Sequence, residues 1–419
     1  MEALTRVQRT VPWWQIALLA LLLAGLLIGQ VWITFHFFTT RFPGANDFLA
    51  RWSNGCALIW SGENPYSDQV TLQTQIRMHG RPAQSGEDLA AYSYPLYTLY
   101  FFWPLCFVQP YALAQAVWMT LMLYAVMAGT VLMIRVSGWQ PPAALWGMAL
   151  VWTVIVYPHA RAIILGQMTT VIFVATGLSL LAVQRRADFW AGAALAAATL
   201  KPQVCFLIVP WLLWWSAWHR RWRLWGGFAA AMVLLGGSGL LLVPTWPLDF
   251  IRHLLNYDTV SATTYHSITW IVIQHFMGLG PVIEVAVTGL FVVYLLVEWW
   301  RQRRATGQAM LWVAGLTLSL TNFISYRVAT TSYTLLLLPL FQLFWLAQRR
   351  IPRWSNWIAL GALVILLVGQ WAVFAVTLEG RFETAPVYLA LPIPLLLAQL
   401  VTRRQFVTDD RPSPELLER

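Results

Sequence analysis

Residues 13–38 read WWQIALLALLLAGLLIGQVWITFHFF. The run holds no Asp, Glu, Lys or Arg, and about 20 apolar residues suffice to cross a bilayer as a helix. It follows Arg6 and Arg9, exceeds a signal-peptide core and lacks a small-residue cleavage site, so it reads as an uncleaved span. Comparable runs lie at 111–134, 142–158, 165–183, 189–200, 203–217, 224–243, 281–298, 308–322, 331–347, 355–377 and 385–401. Together they predict an all-α polytopic transmembrane helical bundle of about 12 spans. Composition agrees. Of 419 residues, 59% are apolar and 11% charged, too little charge to cover a soluble surface of this size. A soluble enzyme, a disordered chain and a nucleic-acid-binding domain are excluded, and no nucleic-acid partner is expected.

The net charge of +10 is explained by topology. Residues 94–107 are apolar but short, with Pro95 and Pro104 near the ends, the pattern of a re-entrant or interfacial segment. If that stretch does not cross, Arg135, Arg185, Arg220, Arg301, Arg349, Arg403 and their basic neighbours fall on one side. That side then holds 18 of the 27 basic residues. The positive-inside rule makes it cytoplasmic. The expected location is the plasma (inner) membrane of a bacterium, multi-pass, with both termini cytoplasmic and membrane lipids as partners; no eukaryotic retention signal is present. Residues 1–401 form one transmembrane domain. Residues 39–93 are a first outer loop, 244–280 a second, and 402–419 a loose cytoplasmic tail. Cys56, Cys106 and Cys205 imply no disulfide framework and no metal spacing.

The first outer loop carries an amphipathic stretch from Phe48 to Trp60. Phe48, Trp52, Cys56, Ile59 and Trp60 recur at helical spacing, which predicts a surface helix lying on the membrane. Ser61-Gly62 ends it. Asp47, at its start, has two compatible readings: a helix cap, or a general base at the bilayer boundary.

The order of short motifs resembles glycosyltransferase family 87. NDF at 46–48, SGENPY at 61–66, YSYPLYTLYFFWPL at 92–105 and AQAVW at 114–118 are similar to its start. LGQMTTV at 165–171, AGAALAAATLKPQ at 191–203 and HRRWR at 219–223 are similar to its middle. Two places depart from the pattern: Leu96 stands where a second proline is usual, and TNFISYR at 321–327 has neither Pro nor His. The resemblance implies a GT-C architecture and transfer of a hexose, mannose-like, from a polyprenyl-phosphate sugar donor to a lipid or glycan acceptor outside the cytoplasm. It also implies an acid in the first outer loop as the catalytic base, where Asp47 stands, and a lysine where Lys201 stands.

Such a reaction needs a base for the acceptor hydroxyl, cations or donors for the departing phosphate, and a groove open to lipid. Lys201, the one lysine of the chain, sits at the outer end of a small-residue helix before Pro202; it is read as a phosphate ligand or as a snorkelling side chain. Arg161 could grip phosphate with two bonds or anchor at the interface, as could its neighbour His159. Gln167 could bond a sugar or satisfy a helix end. His266 in the second outer loop is a candidate substrate contact or a structural histidine. Tyr326 and Arg327 close the group; Arg327 could bind phosphate or pair with Asp258. No Asp-x-Asp pair or histidine cluster occurs, so neither a metal nor another cofactor is expected. A single base predicts inversion at the anomeric carbon. The rival readings are a lipid-linked-sugar flippase or transporter, and an inactive relative that binds the carrier.

Overall fold

A computed structural model describes residues 12–42, 44, 46–84, 87–256, 266–378 and 383–407. The described residues are helical with no strand. Among the described residues, seven helices are long and apolar enough to cross a membrane: Trp13–Thr39, Tyr111–Ser137, Trp222–Leu242, Pro281–Arg301, Thr330–Arg350, Pro352–Thr377 and Ala385–Val407. An eighth forms if the bent pair Ala143–Ile155 and Tyr157–Ile164, 54° apart, counts as one span. Val156 is extended between them and Pro158 occupies the first turn of the second piece, a position where proline's missing N–H costs nothing. Other predicted spans coincide with shorter helices, Thr169–Gln184, Asp188–Leu200, Ile208–Trp218 and Gly307–Ile324.

The elements around the site are α1 (Trp13–Thr34), α2 (Asn46–Ser61), α3 (Asp68–His79), α4 (Tyr111–Ser137), α5 (Ala143–Ile155), α6 (Tyr157–Ile164), α7 (Thr169–Gln184) and α8 (Asp188–Ala197). The small-residue run of α8 has a packing reason. A Cβ on Gly192 would meet the Leu224 carbonyl oxygen at 1.9 Å, and one on Gly227 would meet that of Phe189 at 1.9 Å. Glycine on each side lets α8 and the helix starting at Trp222 touch backbone to backbone.

Two networks of contacts separate the ends of the bundle. One joins Arg221 to Asp188, Arg403 to Glu298 (2.9 Å), Gln308 to the Ser137 carbonyl (2.9 Å) and Gln348 to the Gln140 carbonyl (2.7 Å). These contacts collect basic clusters that lie far apart in sequence. The other joins the outer loops: Asn64 donates to Asp249 (3.1 Å), and His253 bonds the Tyr92 carbonyl (3.1 Å). Helix α4 begins against the first outer loop, where Tyr111 donates to the Gly44 carbonyl (3.2 Å), and ends in the first network at Ser137; its 27 residues span about 40 Å.

Three expectations need correction. Helix α2 forms and ends at Ser61, with Gly62 left-handed (φ +70°). Its apolar face is covered by protein: Phe48 stacks on Trp118 (5.1 Å), and Phe48, Trp52 and Cys56 are buried. Amphipathic spacing reports that one face is covered, not whether lipid or protein covers it. Residues 94–107, by contrast, keep the short, non-crossing form read from the sequence: they contain two 3₁₀ segments, Leu96–Phe101 and Trp103–Phe107. At about 2 Å per residue these reach about 22 Å, short of a hydrocarbon core of about 30 Å. The last helix continues to Val407, with Phe406 buried and Arg403 ion-paired, so residues 402–407 belong to the bundle.

The third correction is a disulfide, Cys56–Cys106, with a Cα–Cα distance of 5.4 Å. It staples α2 to the second 3₁₀ segment. The indole N–H groups of Trp52 and Trp60 reinforce the staple on the carbonyls of Leu105 (2.9 Å) and Cys106 (2.8 Å). Removing both cysteines (Cys56→Ser with Cys106→Ser) is expected to destabilise the outer loop by about 2–4 kcal/mol. In a gel-shift assay on unfolded protein, maleimide-polyethylene glycol should label Cys205 alone before reduction and all three cysteines after it. Three labels without reductant would refute the bridge.

Candidate active site

The site is built on a helix ending. At the C-terminus of α6, Gln167 N–H bonds the Ala162 carbonyl (2.8 Å) and Gly166 N–H bonds that of Ile163 (3.1 Å). This is a Schellman ending, which calls for a left-handed residue at the position after the cap. Gly166 fills it with φ +65°. Space forbids a side chain there as well: a Cβ would lie 2.7 Å from that of Phe48 and 2.9 Å from Cδ1 of Trp118. The turn leaves the Gly166 carbonyl exposed to two donors. Arg51 of α2 donates to it at 2.8 Å and the Trp118 indole of α4 at 3.0 Å. Arg51 also donates to the Tyr94 hydroxyl (3.0 Å) and lies over its ring. Burial pushes the Tyr94 phenol up, against the pull of Arg51, so it stays a neutral acceptor.

With the turn pinned, Gln167 enters between two charged groups. Its amide N–H₂ donates to the Asp47 carboxylate at 2.6 Å, and its amide oxygen accepts from Nζ of Lys201 at 3.0 Å. Carboxylate and ammonium are therefore at most about 8 Å apart across one amide. Asp47 lies inside the first turn of α2 and is half-buried. Lys201 is buried at the junction between the 3₁₀ turn Ala198–Leu200 and the short helix Pro202–Cys205; its extended backbone is what a residue before proline prefers. Tyr97 bonds Thr199 Oγ1 (2.8 Å) and so fastens the 3₁₀ segment to this junction. Burial pushes the Tyr97 phenol up to about 12, against that hydrogen bond.

The other candidates separate. Tyr326 and His266 pack ring to ring (5.1 Å), and Val328 N–H bonds the His266 carbonyl (3.1 Å). Arg327 lines a small cleft with Gln203 and Asn322, and Ser325 Oγ lies 3.2 Å from the Gln203 carbonyl. This second group is thus stitched to the segment just after Lys201. The proposed Asp258 partner of Arg327 lies outside the described residues. Arg161 forms an ion pair with Glu383 and donates to Thr330 (3.0 Å). Tyr157 (2.7 Å) and Thr330 (2.6 Å) donate to the same carboxylate. His159 is buried in the core, bonded to the Thr153 carbonyl at 2.8 Å.

Sequence reasoning missed Arg51 and Glu383. Arg51 had a signal: it stands four residues after Asp47 on a predicted helix, hence on the same face. Glu383 had none, because its partner is 222 residues away. Among the described residues no group of three or more His, Cys, Asp or Glu side chains could hold a metal ion.

A sequence model of glycosyltransferase family 87 matches residues 92–325, more than half of the chain. The chain belongs to glycosyltransferase family 87. No curated protein and no solved structure matches it. As a family 87 membrane glycosyltransferase it takes a sugar donor and an acceptor. Gln167 and Lys201 lie within the matched stretch; Asp47 precedes it, and Arg327 and Glu383 follow it. Gly166→Ala in this glycosyltransferase should cost about 2–4 kcal/mol, from left-handed strain plus overpacking. A lower thermal unfolding midpoint is expected; an unchanged midpoint would show that the turn is not under this constraint.

Proposed function

We propose that this family 87 enzyme moves a hexose, mannose-like, from a polyprenyl-phosphate carrier to a lipid or glycan acceptor outside the cytoplasm, with inversion. The observation that carries the reading is the Asp47–Gln167–Lys201 bridge, which gathers a base, a neutral hydrogen-bonding amide and a cation in one place. Asp47 takes the proton of the attacking hydroxyl. That oxygen forms a bond to the anomeric carbon while the bond to the phosphate oxygen breaks, and the electron pair leaves with the polyprenyl phosphate. Lys201 meets the growing negative charge. Gln167 exchanges its two bonds for bonds to substrate and holds the sugar between the charged groups. Arg327 is favoured over Arg161 as a second phosphate ligand, since its loop is tied to Gln203 while Arg161 already faces Glu383. His266 and Tyr326 then flank the donor.

In the membrane, the end that gathers the arginine clusters faces the cytoplasm. Twelve crossings follow if the bent pair and the four shorter helices each count as one. Both termini are then cytoplasmic, and the Asp47 site opens to the outer leaflet of the plasma (inner) membrane.

The test is transfer from polyprenyl-phosphate mannose in reconstituted vesicles. Asp47→Asn should lower turnover by about 10²–10⁴-fold, the range for a lost general base. Lys201→Met should lower it by about 10²–10³-fold with unfolding midpoints preserved. Full transfer by Asp47→Asn would remove the proposed base.

A further inference from the structure

Two arginine pairs, Arg220/Arg221 and Arg303/Arg304, meet at the end of the bundle that gathers the basic clusters. In each pair one guanidinium is committed within the protein. Arg221 is buried, ion-paired with Asp188 and bonded to the Val183 carbonyl (2.8 Å). Arg303 donates to the Trp300 carbonyl (2.7 Å) and lies 4.4 Å from the ring centre of Trp300 and 5.2 Å from that of Trp218, a doubled cation–π contact. The second member of each pair is left over. Arg220 and Arg304 are exposed and line one cavity of about 590 Å³ together with Ala217, Trp218 and Trp222. No carboxylate lines it. Among the described residues, neither of these two guanidiniums has an ion-pair or hydrogen-bond partner. The acids of this network are already taken: Asp188 by Arg221, and Glu298 by Arg403 (2.9 Å) and Arg301 (3.8 Å).

The walls of this cavity are fixed. The Trp215 indole donates to the Ala305 carbonyl (2.9 Å), which fastens the helix Ile208–Trp218 to the turn that carries Arg304. Trp218 packs edge-on against Trp300 (5.6 Å). On the other side, Arg220 N–H bonds the Ala217 carbonyl (3.0 Å) and Arg221 N–H bonds that of Ser216 (2.9 Å), a Schellman ending. Arg220 takes its left-handed position with φ +54°. That conformation is costly for a residue with a Cβ, and Gly166 fills the same position in its own turn. An arginine kept where glycine would fit better points to a use for its side chain. Two guanidiniums with no acid between them call for an anion. Trp218 and Trp222 are exposed beside them, which suits the headgroup level of a bilayer rather than water. We propose that this cavity holds the headgroup of an anionic phospholipid, drawn from the leaflet at the arginine-rich end. Its phosphate sits between Arg220 and Arg304, and its glycerol and upper acyl carbons lie against Trp218 and Trp222. The site stands at the end of the bundle away from Asp47 and does not rest on the transfer reaction.

The test uses the full chain in phosphatidylcholine nanodiscs that carry equal amounts of phosphatidylglycerol, as anionic probe, and phosphatidylethanolamine, as neutral probe, with matched acyl chains. Retention is read by native mass spectrometry. Phosphatidylglycerol should be retained over the neutral probe by about tenfold or more, each arginine near a lipid phosphate being worth about fivefold. Arg220→Gly relieves the left-handed strain while removing the guanidinium. It should keep or raise the thermal unfolding midpoint and lower the retention ratio by about fivefold. Adding Arg304→Gln should bring the ratio near one. Arg186→Gly is the control. Arg186 holds the left-handed position (φ +59°) of the α7–α8 turn at the same end but does not line the cavity, so its loss should leave the ratio unchanged. An equal fall in Arg186→Gly would reduce the effect to general surface charge and overturn the site. Equal retention of both probes by the wild type, or an unchanged ratio in the double variant, would overturn it too. Soluble glycerophosphoglycerol at millimolar concentration should not displace the lipid; displacement would overturn the lipid assignment in favour of a free phosphate.

Discussion

The carbonyl of Gly166 is the point on which the outer half of the molecule turns. It accepts from Arg51 on the first outer loop and from Trp118 on a long apolar helix, and it belongs to the turn between α6 and α7. Three separate stretches of chain therefore share one acceptor. A buried guanidinium is costly unless bonded, and a hydrogen bond from a charged donor contributes about 1.5–3 kcal/mol. That energy holds α2 at one height and rotation against the bundle. Asp47 and Arg51 sit one turn apart on α2, so fixing Arg51 fixes Asp47 relative to Gln167.

The outer loops are a second layer over this point, and they are also locked to one another. The Cys56–Cys106 bridge closes the first loop on itself, while Asn64–Asp249 and Tyr92–His253 tie it to the second. Disulfides persist where the environment is oxidising. The bridge lies in the network opposite the arginine clusters, which agrees with the sidedness that charge alone implies. Covalent chemistry and the positive-inside rule are independent, and they point the same way.

Much of this was legible in the sequence, because membranes impose strong patterns. Apolar run length located the helices, and basic clusters at distant positions proved to share one end. Asp47, Gln167 and Lys201 stood out as polar residues beside apolar runs, and the structure brings those three together. What the sequence hid were pairings across long separations. Nothing near Arg161 announces Glu383, and nothing near Cys56 announces Cys106, since each partner is chosen by the fold. The apolar face of α2 misled for a related reason. Spacing shows that a face is covered, and in a membrane protein two different apolar partners are available to cover it.

The contrast between Arg161 and Lys201 shows how the bundle assigns similar charges to different work. Glu383 is buried and receives Arg161, Tyr157 and Thr330 together. Such a cluster resists exchange: drawing Arg161 away toward a phosphate would leave a buried carboxylate without its cation, and breaking a buried pair in this way costs about 3–5 kcal/mol. Arg161 therefore serves best as a fixed strut between α6 and the loop before the last helix. Lys201 donates to Gln167, a neutral amide whose place a phosphate oxygen can take. Between Lys201 and Arg161, the cation bonded to an amide is the one equipped to greet an incoming anion, and the one held by a carboxylate is equipped to keep the helix end that carries Gly166 in place.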